Sequence, residues 1–443
     1  MCFAISYEVK VSRAFDQMPQ HKKLRIFAAI FFWGIILSYI WAAPRLFVRM
    51  ARGYADFSNF YTAGKIVQRG QSHQLYDLAL QTQIQSQFSE PVALRNRALP
   101  FMRPPLEALL FLPLSYLSYT RAYAAWVFLC MLLVGGTAAF LRSRIPGFSA
   151  IPWWLYYPAC FSFCPIFYGF VLGQDAAFML LLFGLVSVYW IEGKDFRAGC
   201  FLGLALIKFQ LVLPLILILC LKRQFRTLSG CALVAGLLSL VSIWVVGWKG
   251  MIEYPVYLWR LNLKGSAAAI YPSVMPSLRG LVQGWTDPLH PLPRLDWITG
   301  VLSLAILLWA ARQWHTSAPR SSRIYFAGVA TVLLATLLAG YHEFSYDLSL
   351  LFPFVLWAAH KGLQDHELDT TTRWTLMLAA GALLYAPLYF LLIAKGQLNL
   401  MALPVLWLAW GLARAIKKWQ SGSADFPASV VPGAGPHSRV KWI

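Results

Sequence analysis

Asp56 is the one carboxylate in the stretch RGYADFSNFYTAG, residues 52–64, where it stands among Tyr54, Phe57, Phe60 and Tyr61. Two kinds of chemistry suit it. Asp is a favoured N-cap, so it can accept from the free backbone N–H groups of a helix that begins at Phe57. It can also take a proton from a reacting hydroxyl as a general base, with the aromatic side chains as shelter. Cations recur further along the chain. Arg103 lies in FMRPPLEALLFLPL, Lys208 in LALIKFQLVLPL, and Arg279 in YPSVMPSLRGLV. His342, Glu343 and Asp347 share GYHEFSYDLSLL, and Gln174 sits in the polar triplet GQD. Guanidinium groups meet phosphate oxygens two at a time, so an anionic ligand is one reading of these cations. Helix caps and attraction to lipid head groups are the other.

The elements that must position these residues are membrane helices. Of 443 residues, 59% are hydrophobic and 13% charged, against about 25% charged in a soluble domain. Continuous apolar runs of about 17–25 residues recur between Leu24 and Ile416. Each is long enough to cross a bilayer, and their continuity selects helices over strands. The reading is an all-α polytopic membrane protein with about twelve spans. The first run is too long for a signal-peptide core and is read as an uncleaved span. The net charge of +20 fits cations flanking spans. Nucleic-acid binding is excluded, because no soluble basic domain is present to carry it. Six of the seven cysteines fall in apolar runs and read as small packing residues, Cys160 and Cys164 on one helix face. No pattern of ligands for a metal or cofactor occurs.

Alternating the spans from an internal N-terminus places most Lys/Arg clusters inside, with Arg142 and Arg144 as exceptions. Residues 1–23 are then a cytoplasmic segment, 24–416 the membrane domain, and 417–443 a disordered cytoplasmic tail. Two long segments, 44–103 and 248–295, lie outside. Both are basic: the first includes Arg95 and Arg97, the second Arg279 and Arg294, with Asp287 among the few acids. Within the first, 57–67 alternates apolar and polar faces and predicts an amphipathic helix on the membrane surface. Lys208 falls inside an apolar run, where a charge costs roughly 2.5–3.5 kcal/mol unless it snorkels to an end. The GQD triplet is a polar break between the fourth and fifth runs, and a simple turn accounts for it equally well.

The order of an external Asp with following aromatic and AG residues, then RPPLEALLFLPL, GQ, KFQLVLPL and MPSLRGLV, resembles glycosyltransferase family 87 of the GT-C superfamily. That family includes polyprenyl-phosphate-mannose-dependent mannosyltransferases. The resemblance covers roughly residues 20–400. It implies a polyprenyl-phosphate sugar donor, a lipid or glycan acceptor and an outward-facing site in a bacterial inner membrane. It makes Asp56 the catalytic base and relates His342 to a family histidine near a late span. The neighbourhood YHEFSYD differs from the paired histidines of the mannosyltransferases, which leaves sugar and acceptor open.

The residue inventory suits such a transfer on its own terms. A polyprenyl-phosphate sugar carries a good leaving group, so an inverting transfer needs one base and cations for the departing phosphate. Arg103, Lys208, Arg279, His342, Tyr61, Gln174 and Asp347 are the candidate substrate contacts around Asp56. A retaining hydrolase would instead use a carboxylate pair. A transporter or flippase of anionic lipids is the alternative. Such proteins commonly show repeats and broken helices at the midplane, and no repeat is visible in this sequence.

Overall fold

The computed structural model describes residues 20–89, 99–264, 271–285, 293–393 and 399–424. The described residues form helices and connecting turns, with no strand among them. Five helices are long and apolar enough to cross a membrane: Lys22–Tyr54, Tyr119–Arg144, Asp195–Leu221, Phe225–Leu263 and Arg294–Gln313. Two bent pairs raise that number to seven when each pair is one span: Trp153–Ser162 with Cys164–Leu172, bent by 52°, and Thr370–Leu384 with Ala386–Leu392, bent by 68°. Ala176–Ile191 and Arg323–Ala339 are apolar but shorter.

Run length counts apolar residues and is blind to backbone breaks. The run 104–119 is helical only over Glu107–Ser115. The run 346–360 opens as a 3₁₀ turn, Ser345–Leu351, before the helix Phe352–Gln364. Phe163 leaves helical space at ψ 111°, so Cys160 and Cys164 lie on two helices and not on one face. Of the cysteines in apolar runs, Cys130, Cys160, Cys164 and Cys231 are buried, Cys200 is half-buried and Cys220 exposed.

The helix Phe57–Gln68 forms as its periodicity predicts, but residues of both its faces are buried in the protein. Phe57, Ala63 and Ile66 are fully buried, and so is Thr62 on the opposite, polar face. The helix Glu107–Ser115 covers it. A Cβ on Gly64 would stand 2.6 Å from the Phe111 carbonyl oxygen, so glycine permits this approach. Phe60 stacks on Phe111 at 4.7 Å between centroids. Amphipathic periodicity reports one apolar face, and here a second element buries the other as well.

An open apolar face occurs instead on residues 248–263. Gly247 (φ 76°, ψ 168°) kinks the helix Phe225–Lys264. Beyond the kink Trp248, Ile252, Val256, Trp259 and Leu263 are exposed. On the other side Tyr254 and Tyr257 donate to the carbonyls of Met102 and Phe101 at 3.0 and 3.1 Å. The last helix runs through Ala424. The expectation of disorder from residue 417 therefore fails for 417–424, where Trp419 is buried against Trp357. Arg95, Arg97, Asp287, residues 1–19 and 425–443 lie outside the described residues.

Candidate active site

Asp56 owes its position to a break in the chain. Gly53 adopts φ 94°, and a Cβ there would stand 2.5 Å from the Ser89 Cβ. Glycine is therefore required, on conformation and on space. The turn ends the first span and starts the helix Phe57–Gln68 with Asp56 at its N-cap. Yet the Asp56 side chain makes no capping hydrogen bond. Its Oδ2 accepts instead from Gln174 Nε2 at 2.9 Å, across 118 positions of sequence.

Gln174 is delivered by the GQD turn. Gly173 takes φ 63°, and a Cβ on it would lie 2.7 Å from the Phe57 Cβ. Two aromatic side chains tie this turn down. Trp126 Nε1 donates to the Gly173 carbonyl at 2.9 Å, and Tyr123 Oη donates to the Val171 carbonyl at 2.7 Å. Both rings also pack around Phe57, at 6.4 and 5.9 Å between centroids. The aromatic residues near Asp56 thus fasten the Gln174 turn to the helix that follows Asp56. Tyr61 faces the other way and donates to the Leu117 carbonyl at 2.7 Å, so the structure does not bring it to the cluster.

Behind Gln174 stands a buried ion network. Arg103 Nη2 lies 3.5 Å from Gln174 Oε1 and 3.4 Å from Asp175 Oδ1. Glu107, one turn on, approaches Arg103 Nε at 3.9 Å. Lys208 Nζ donates to Asp175 Oδ1 at 3.0 Å and to Asp347 Oδ1. Lys208 and Asp347 are each 1% exposed and Asp175 2%, so these charges are out of water and rely on one another. Lys208 does not snorkel. Its φ of −119° and ψ of 62° break the helix midway along the span Asp195–Leu221, and the side chain turns inward. Asp347 is itself fastened, its Oδ2 accepting from the Phe344 N–H at 2.9 Å.

A second group is built around Arg279, which is 6% exposed. Its Nε donates to Gln283 Oε1 at 3.0 Å and its Nη1 to the Tyr341 carbonyl at 3.1 Å. The guanidinium lies 3.7 Å from the Tyr341 ring centre. His342 Nδ1 is 3.5 Å from Nη1. Arginine only donates, so Nδ1 accepts and Nε2 carries the ring proton. Burial and the nearby Arg279 and Arg103 charges hold the His342 pKa down to about 3, so its ring is neutral. Asp296 stands behind these partners, its Oδ1 accepting from Gln283 Nε2 at 2.8 Å and from Tyr341 Oη at 3.1 Å. The turn 341–347 joins the two groups, since it carries both His342 and Asp347.

Of the residues singled out from sequence, Asp56, Gln174, Arg103, Lys208 and Asp347 join one chain of contacts that closes through Asp175, and Arg279 with His342 forms another. Sequence reasoning passed over Glu107 and Asp175 as partners for the cations. The i,i+4 spacing of Arg103 and Glu107 in RPPLE was the available signal for the first. Glu343 is fully buried, and both its carboxyl oxygens lack a hydrogen-bond partner among the described residues. Burial and the adjacent Asp347 push its pKa well up. No cluster of potential metal ligands occurs among the described residues.

A profile of glycosyltransferase family 87 matches residues 101–340, more than half of the chain. The chain belongs to glycosyltransferase family 87. Comparison with curated proteins and with solved structures finds no match. The matched region holds Arg103, Gln174, Asp175, Lys208 and Arg279, whereas Asp56, His342 and Asp347 fall outside it. The family makes the protein a membrane glycosyltransferase, which takes a sugar from a donor and passes it to an acceptor.

Proposed function

We propose that this protein transfers a hexose, with mannose the first to test, from a polyprenyl phosphate to a lipid or glycan acceptor with inversion. In this reading it has a GT-C fold with about twelve transmembrane spans. It sits in a bacterial inner membrane with its site on the extracytoplasmic face. The observation that carries the reading is Asp56, at an N-cap whose side chain makes no capping bond and is oriented by Gln174. A carboxylate held in that way is oriented by a residue 118 positions away rather than by the helix end beside it.

The step then follows from the two groups. Asp56 takes the proton of the acceptor hydroxyl as its oxygen attacks the anomeric carbon. The bond from that carbon to the phosphate oxygen breaks, and the electron pair leaves on the polyprenyl phosphate. Arg279 meets the phosphate charge with its planar guanidinium, and neutral His342 offers Nε2–H beside it. Arg103 borders both groups.

The direct test incubates the purified protein with radiolabelled polyprenyl-phosphate hexoses and membrane lipids. Labelled glycolipid from any donor is the expected result. Failure with every donor, alongside vectorial movement of the intact lipid, would sink the reading. Orientation is checked with an impermeant thiol reagent on intact cells. Cysteines at the exposed positions Gln83 and Lys249 should react, and one at Ser421 should not.

A further inference from the structure

Lys208 was a candidate ligand of the donor, but both of its hydrogen-bond partners are buried carboxylates of this chain. Those partners lie 33 and 139 positions away, in the turn before the helix Ala176–Ile191 and in the turn Ser345–Leu351. Its ammonium also lies 4.8 Å from the Tyr346 ring centre. An amine so enclosed has little to offer an incoming phosphate. What it does is join three segments remote in sequence.

The consequence runs through Asp175. Its Oδ1 receives both Lys208 Nζ and Arg103 Nη2, and the same Nη2 reaches Gln174 Oε1. A guanidinium at the Gln174 oxygen leaves the amide nitrogen to point the other way, toward Asp56 Oδ2. An amide has one acceptor end and one donor end, so fixing the first fixes the second. Remove Lys208, and Asp175 keeps Arg103 as its only cation and is free to draw Arg103 off Gln174. We propose that Lys208 is a positioning residue: by bridging Asp347 and Asp175 it holds Arg103 and Gln174 in the arrangement that aims the Asp56 carboxylate. This rests on the reading of Asp56 as the base.

Lys208→Met alone leaves two buried carboxylates short of a cation and threatens folding. Lys208→Met with Asp347→Asn removes one charge of each sign and leaves Asp175 paired with Arg103. In vesicles, with radiolabelled polyprenyl-phosphate mannose, this double variant should lose turnover by roughly 10–100-fold, the scale of a misplaced catalytic group. Donor affinity should stay within about threefold, since Arg279 and His342 are unchanged and the asparagine oxygen can still accept from the Phe344 N–H. In a Gln174→Leu background the same pair of changes should cost less than about threefold more, because both act on Asp56 through one route. Unchanged turnover in a folded double variant would overturn the inference. So would equal fractional losses in both backgrounds. A fall in donor affinity that matches the fall in turnover would make Lys208 a phosphate ligand instead. If the wild-type protein transfers no sugar, the proposed activity fails separately and amide hydrogen exchange decides. The Ser58 and Asn59 amides, bonded to Ala55 and Asp56, should then exchange faster in the double variant while the helix Arg323–Ala339 is unchanged. Equal protection of Ser58 and Asn59 in both proteins would reject the positioning role.

Discussion

The groups around Asp56 and around Arg279 are both buried and both cationic, yet they differ in how charge is balanced. Near Asp56 each cation has a carboxylate: Arg103 has Asp175 and Glu107, and Lys208 has Asp175 and Asp347. Arg279 is held by the neutral groups Gln283, Tyr341 and His342. Cations that already have carboxylates of the same chain hold geometry without a ligand. Among the described residues Arg279 touches no carboxylate directly: Asp296 stands one step behind, accepting from Gln283 Nε2 and Tyr341 Oη, so a direct anionic contact would further offset the desolvation of the guanidinium. In the proposed mechanism the two arginines divide the work: Arg103, paired with carboxylates, positions, and Arg279, among neutral partners, meets the donor phosphate.

The largest effect expected from breaking this division is at Asp56. Asn is as good an N-cap and still accepts from Gln174, so Asp56→Asn should fold and bind donor normally. Its turnover should fall by roughly 10²–10⁴-fold if the carboxylate is the base. Substantial retained transfer by a well-folded Asp56→Asn protein would leave Asp56 as a structural residue.

Arg279→Lys comes next. It keeps the charge and loses the planar pair of donors, so donor affinity should drop roughly 10–100-fold, the worth of hydrogen bonds to a charged group. Arg103→Lys should lower turnover more than affinity. Equal effects of the two substitutions on donor binding would erase the distinction between the groups.

Gly173→Ala sharpens the comparison from the backbone side. At φ 63° and with the new Cβ 2.7 Å from Phe57 Cβ, it should destabilise by about 1–3 kcal/mol. Because Gln174 is the next residue, turnover should fall while donor affinity holds. Thermal unfolding and donor binding measured on the same preparation separate the two.

The smallest effect concerns His342, whose folded pKa of about 3 lies below the ordinary value of 6.5. Between those values the unfolded chain binds a proton that the folded chain does not. Stability from this group is therefore complete above pH 6.5 and is lost as pH falls toward 3. The melting temperature of His342→Gln should decline less between pH 7 and pH 5 than that of the wild type. Identical declines would show that His342 does not titrate in this way. Donor affinity of the wild type should be flat over the same range as far as this ring is concerned.

Two helical segments mark how far sequence reading reached. Periodicity located the helix Phe57–Gln68 correctly and its environment wrongly, since Phe111 and its neighbours enclose it. The apolar face left open belongs to 248–263, beyond a kink at Gly247. Both faces are written in residue types, but which face another helix covers depends on contacts between segments distant in sequence.

The sequence by itself determined the class of the protein, its helical character, the family motifs and the candidate residues from Asp56 to Asp347. Those properties follow from composition, from run length against bilayer thickness, and from residue chemistry, all of which are local. Only the tertiary structure decided that Asp56 turns from its capping place to Gln174. It alone paired Lys208 with Asp175 and Asp347, and set Arg279 against Gln283 and the Tyr341 carbonyl with Asp296 behind them. Those pairings rest on backbone breaks at Gly53, Gly173 and Lys208 that redirect the chain within apolar runs. Hydropathy averages over such breaks, while a buried charge responds to the few ångströms they move it.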